Sequence, residues 1–120
     1  MKKILIIEDE KILGEMYRDK FLQAGFEAIL VDSAEEGFEM VLKEKPDLVL
    51  VDILLPKESG ISFIERLRGD LSVSSIPVVA FSNYDDPQTE REALRLGVKE
   101  YLIKTGYTPQ DIIEKIKNYL

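Results

Sequence analysis

Five short apolar runs alternate along this chain with five stretches whose apolar residues recur at helical spacing, and no other feature limits the fold as strongly. Residues 4–7, 48–51 and 76–81 are β-branched-rich and apolar at successive positions, the mark of strands covered on both faces. Residues 26–31 and 100–103 are less uniform candidates for a second and a fifth strand. Between the runs lie helical stripes: Leu13, Met16, Tyr17 and Phe21; Ala34, Phe38, Val41 and Leu42; Ile61, Ile64, Leu67 and Leu71; a weaker group at Ala93, Leu94 and Leu96; and Ile112, Ile113, Ile116, Tyr119 and Leu120. Punctuation agrees. Gly25 and Gly97 stand where helices should end, Asp9, Ser33, Ser59 and Thr108 are candidate N-caps, and Pro109 suits a first helical turn. Strict alternation with short connections predicts an α/β fold, a doubly wound parallel sheet, because each right-handed crossover lays a helix on one face. The pattern alone leaves the strand order open.

The 120 residues suit one domain, spanning 1–120, and a 45% apolar content suffices for a continuous core. Sixteen basic against 23 acidic side chains leave a net charge of −7, and no basic stripe interrupts it, so direct binding of nucleic acid is not expected. Cysteine and histidine are both missing. That excludes disulfides, thiolate nucleophiles, Cys-type zinc sites and imidazole bases, leaving carboxylates, hydroxyls and lysines for any chemistry. The apolar run after Met1-Lys2-Lys3 is only four residues long and meets Glu8-Asp9-Glu10 at once, too short for a signal-peptide core. With no other stretch able to span a bilayer, the expectation is a cytoplasmic domain without a membrane partner.

In doubly wound sheets ligands gather beyond the carboxyl ends of the strands. The residues at those ends here are Glu8 and Asp9, then Asp52, then Ser82 and Asn83, then Lys104. Taken singly each has an ordinary explanation: Asp9 as a helix cap, Asp52 as the start of a turn, Glu8 and Lys104 as surface charges, Ser82 satisfying local backbone, Tyr101 as a core aromatic. Taken together, three carboxylates, a hydroxyl and an ammonium on one edge form a coherent chemical set. The carboxylates would repel one another unless a hard divalent cation joined them, and magnesium, which prefers oxygen ligands, suits one or two direct carboxylates. The ammonium and hydroxyl could then hold phosphoryl oxygens while a carboxylate attacks phosphorus, giving an acyl phosphate.

At this point the sequence resembles the receiver domains of two-component response regulators, chemotaxis-regulator-like, across residues 2–120. The matching text is Ile4-Leu5-Ile6-Ile7-Glu8-Asp9-Glu10; Pro46-Asp47-Leu48-Val49-Leu50-Val51-Asp52-Ile53-Leu54-Leu55-Pro56 with Gly60; Ile76-Pro77-Val78-Val79-Ala80-Phe81-Ser82; and Gly97 followed by Tyr101-Leu102-Ile103-Lys104. The resemblance implies a flavodoxin-like sheet of order 2-1-3-4-5 with five helices. It implies Asp52 as phosphoacceptor and Mg2+ held by Asp9, by Glu8 through water, by Asp52 and by the backbone carbonyl of Leu54. Lys104 would pair with Asp52 and then with the phosphoryl oxygens. Ser82 and Tyr101 would be switch residues, the hydroxyl moving to the phosphoryl group and the ring swinging inward, so that the face of helix 4, strand 5 and helix 5 changes. The donor would be a histidine kinase, a histidine phosphotransfer protein or a small acyl phosphate. A downstream target or an attached output domain would read the changed face, and a homodimer formed on phosphorylation is one assembly it allows. Such a domain is no turnover enzyme; it catalyses only its own aspartyl phosphorylation and dephosphorylation.

Two residues depart from the family pattern. Thr105 follows Lys104 where proline, often cis, is usual; a non-proline cis bond costs about 2.5–4 kcal/mol, so a trans or visibly strained loop is expected. Asn83 replaces the small residue that usually follows the switch hydroxyl. Leu54 and Tyr84 flank the acceptor where other members often place polar groups, which predicts slow self-dephosphorylation. Three rival readings are weaker. An interaction-only receiver would lack Asp52, an acidic partner or Lys104. A flavodoxin needs a hydroxyl- and glycine-rich loop where Glu8-Asp9-Glu10-Lys11 stands, and an aspartyl phosphatase needs a carboxylate at Leu54.

Overall fold

The computed structural model describes residues 1–83 and 85–120. Strands and helices alternate without exception: β1 (Lys3–Ile7), α1 (Lys11–Gln23), β2 (Glu27–Val31), α2 (Ala34–Glu44), β3 (Leu48–Asp52), α3 (Gly60–Gly69), β4 (Val78–Ser82), α4 (Pro87–Arg95), β5 (Glu100–Ile103) and α5 (Pro109–Lys117). All strand pairs are parallel, and the order is β2-β1-β3-β4-β5, as the resemblance implied. The winding reverses between β1 and β3, which makes the gap at their carboxyl ends the natural ligand position.

Strand alternation sorts the core into two halves. Leu5, Ile7, Val49, Val51, Val78 and Ala80 point to the side covered by α2, α3 and α4, against Val41, Phe63, Ile64, Leu67 and Ala93. Ile4, Ile6, Leu48, Leu50, Val79, Phe81 and Leu102 point to the side covered by α1 and α5, against Tyr17, Phe21, Ile112, Ile113 and Ile116. Every residue of β3 and β4 is buried, which explains why those strands read as continuous apolar runs. Arg68 ties the α3 side together. Its half-buried guanidinium donates to the carbonyls of Ser74, Ile76, Leu96 and Gly97, and burial lowers its pKa.

Helix ends follow the expected chemistry with one exception. The side chains of Ser33, Ser59 and Thr108 accept from the backbone three residues on, Thr108 forming a reciprocal capping box with Asp111, and Pro109 occupies the first turn of α5. Gly25 and Gly97 take φ of +93° and +85° just past α1 and α4. Asp9, however, caps nothing: the N-cap of α1 is Glu10, without a side-chain bond. Asp86, unmarked in the sequence reading, caps α4. β4 begins at Val78 rather than Ile76, because Pro77 has no N–H to give a ladder and the Ile76 N–H is used in a turn to Val73. Of the stripe residues, Leu71 lies past the end of α3 and is exposed, and Met16, Leu42 and Leu94 sit at stripe edges, partly in solvent. No described helix is long and apolar enough to cross a membrane.

Candidate functional site

Period-2 alternation continues past the strand ends and decides which side chains meet. Glu8 follows Ile6 and Ile4, Asp52 follows Leu50, and Lys104 follows Leu102, so all three fall on the α1–α5 side. Asp52 is the register partner of Phe81, and Ser82 of Ile103. Ser82 and Tyr101 therefore belong to the opposite, α2–α4 side, where Tyr101 packs half-buried against the core.

Lys104 Nζ donates to Glu8 Oε1 at 2.5 Å and to Asp52 Oδ2 at 3.1 Å, with Glu10 Oε2 at 3.9 Å. The other Asp52 oxygen, Oδ1, accepts the Leu54 amide at 3.0 Å, so backbone and ammonium together fix the carboxylate. Glu8, Asp52, Ser82 and Lys104 are all buried, whereas Asp9 stays exposed at the mouth. Lys104 achieves this reach with a trans backbone, since no described peptide bond is cis, and it begins a short 3-10 turn, Lys104–Gly106. Close packing beneath Asp52 requires Gly60. A Cβ there would stand 2.5 Å from the Asp52 carbonyl oxygen and 2.8 Å from Ile53 Cα.

The electrostatics leave the cluster short of positive charge. Glu8, Asp9 and Asp52 each bring a carboxylate oxygen within 4.8 Å of the others, and one ammonium faces them. Burial, then the neighbouring Asp52, pushes the Glu8 carboxyl up to about 8, so Glu8 keeps a proton where a free glutamate would not. Its Oε2 is buried without a hydrogen-bond partner among the described residues. Burial lowers the Lys104 pKa but the nearby Glu8 and Asp52 carboxylates outweigh it and raise it, and burial raises that of Tyr101, opposed by the Ser82 side chain. An orphaned buried oxygen inside a set of all-oxygen donors fits a hard divalent cation, whose charge would replace the proton on Glu8.

Glu8, Asp9 and Asp52 thus come together, Lys104 reaches Glu8 and Asp52, and Leu54 contributes its amide to Asp52. Tyr84, paired with Leu54 in the dephosphorylation expectation, lies outside the described residues. Sequence reasoning missed Glu10, the third carboxylate beside Lys104, and Phe81, whose ring lies under the same ammonium at 4.6 Å from centroid to Nζ. Alternation was the signal for Phe81: it stands on the Asp52 side of the sheet, one strand away.

The sequence profile of the response regulator receiver domain matches residues 4–117. The chain is 32% identical over 119 residues to the polar-differentiation response regulator DivK of Brucella abortus, covering 99% of this chain and 96% of that protein. It is 29% identical over 119 residues to the phosphate regulon transcriptional regulatory protein PhoB of Pseudomonas aeruginosa, covering 99% of this chain but only 52% of PhoB, about half its length. The chemotaxis response regulator CheY4 of Vibrio cholerae superposes with a TM-score of 0.91 over 100% of this chain and 99% of that one at 20% identity, a likeness of fold.

Proposed function

The chain belongs to the response regulator receiver domain family of two-component signalling, and from that membership we propose that it is switched by a phosphoryl group accepted on Asp52. The observation that carries this reading is the convergence of Glu8, Asp9 and Asp52 within 4.8 Å of one another, with the buried Lys104 ammonium bonded to Glu8 and Asp52. An oxygen of Asp52 attacks phosphorus in line, and the bond from phosphorus to the donor, a phosphohistidine nitrogen or an acyl phosphate oxygen, breaks as the aspartyl phosphate forms. Lys104 moves from the carboxylate to the phosphoryl oxygens on its flexible stem. Glu8, Asp9, Asp52 and the Leu54 carbonyl would hold Mg2+, which supplies charge compensation for the phosphoryl oxygens. The domain acts on itself and is not a turnover enzyme.

Ser82 and Tyr101 share one side of the sheet, and the Ser82 side chain influences the Tyr101 hydroxyl, which supports a linked movement of the two when the serine hydroxyl turns to the phosphoryl group. The face formed by α4, β5 and α5 then presents a different surface to a downstream target, an output domain or a second copy. The donor is a histidine kinase or a histidine phosphotransfer protein. Leu54 is apolar and about half exposed, a poor guide for a hydrolytic water, so the phosphorylated form persists well beyond seconds; decay within seconds contradicts this. Intact-mass spectrometry after treatment with acetyl phosphate and Mg2+ tests the reading. Wild type gains the mass of one phosphoryl group and Asp52→Asn gains none; equal gain in both refutes it.

A further inference from the structure

Resting on the phosphoryl-transfer reading above, we propose that Phe81 is a positioning residue for that reaction: its ring face holds the Lys104 ammonium between Glu8 and Asp52. The centroid-to-Nζ distance of 4.6 Å is inside the roughly 6 Å range of cation–π attraction, which strengthens when the pair is desolvated. Desolvation is nearly complete, with Phe81 at 0% exposure and the Lys104 side chain at 5%. The ring is itself held, since Tyr17, also buried, packs against it edge to face at 5.5 Å and 65°. Its backbone is joined to the acceptor strand, because the amide of Ile53, next to Asp52, donates to the Phe81 carbonyl at 3.0 Å.

The need for an inner contact follows from the charges. Lysine is a point charge on a flexible four-carbon stem, with no fork geometry to fix it. Glu8 draws it at 2.5 Å, Asp52 at 3.1 Å, and Glu10, more than half exposed, draws it outward at 3.9 Å. Of the three only Asp52 reacts, yet the Glu8 contact is the shorter. The ring of Phe81 lies in the core on the strand beside Asp52, so attraction to its face opposes the outward pull and keeps the ammonium near the attacking group.

A ring that merely fills the core would make the same packing contacts whatever its charge distribution, and fluorination separates the two roles. With 4-fluoro-, 3,5-difluoro- and 3,4,5-trifluorophenylalanine placed at position 81 alone, the rate of phosphoryl uptake from acetyl phosphate at saturating Mg2+ should fall stepwise as the ring face loses negative character. Phe81→Leu, which keeps apolar bulk without a π face, should fall about fivefold. In the metal-free protein the side-chain ε protons of Lys104 should carry an upfield ring-current shift that Phe81→Leu removes. A rate flat across the fluorine series, or the absence of that shift in wild type, overturns the proposal even if Phe81→Leu is slow. Wild type that takes up no phosphoryl group overturns the functional reading and this inference together, whereas active wild type with a flat series overturns the inference alone.

Discussion

Glu8 and Asp9 are adjacent in sequence and opposite in circumstance. Glu8 is buried with one oxygen unpartnered among the described residues, while Asp9 is exposed and the N-cap position of α1 falls to Glu10. For Glu8 the consequence is a dependence of stability on pH. Its carboxyl is raised from 4.5 to about 8 in the fold, so between those values the native state binds more protons than the unfolded chain, and stability falls as pH rises. In EDTA the thermal midpoint should therefore be higher near pH 5 than near pH 8.5, and Glu8→Gln should flatten this part of the profile. Millimolar Mg2+ should raise the midpoint most at the alkaline end, where the carboxylate is free to bind it. A wild-type profile rising from pH 5 to 8.5 in EDTA would contradict the charge shortage. Identities at this scale were legible because each residue of the cluster named from sequence sits at a strand end; Glu10 and Phe81 were not, because each has an ordinary role as a loop charge and a core aromatic.

Elements act on the site through what they fix. The loop after β3 turns back so tightly that α3 starts against the Asp52 backbone, with Gly60 N–H donating to Ile53 O at 2.9 Å. Backbone atoms cannot step aside as a side-chain tip can, so Gly60→Ala should cost about 1–3 kcal/mol and slow phosphoryl uptake by displacing Asp52. Urea denaturation checks the first effect, and an unchanged midpoint would contradict the packing. Existence and type of all ten elements were readable from periodicity, and Ser33, Ser59 and Thr108 marked three helix starts correctly. Boundaries were less readable where a local hydrogen bond overrode the pattern: the turn ending at Ile76 shortened β4, and the early end of α3 left Leu71 in solvent.

On the scale of the whole molecule, two properties matter. The strand order could not come from alternation, since periodicity says which residues share a face and nothing about which strands are neighbours; it entered with the family resemblance and is what brings β1 beside β3. The second property is charge. Beside Asp52, Asp9, Asp32, Glu35, Glu36, Glu39 and Glu58 line a cleft of about 820 Å³, with Lys57 the single cation among its described lining residues. An anionic small donor approaches against this field, so at saturating Mg2+ the uptake rate from acetyl phosphate should rise between about 0.02 M and about 0.3 M salt as screening shortens the Debye length. A rate that is constant or falls with salt would show that the cleft does not govern approach.

Of the three carboxylates crowded together, Asp52 alone is proposed to carry the phosphoryl group. Borohydride reduces an aspartyl phosphate to homoserine and leaves free carboxylates untouched, so peptide mapping after acetyl phosphate, Mg2+ and borohydride reads the acceptor directly. Homoserine at position 52 and nowhere else, abolished by EDTA, is the expected result. Reduction at position 8 or 9, or an unmodified residue 52 in protein that has gained phosphoryl mass, would contradict the account.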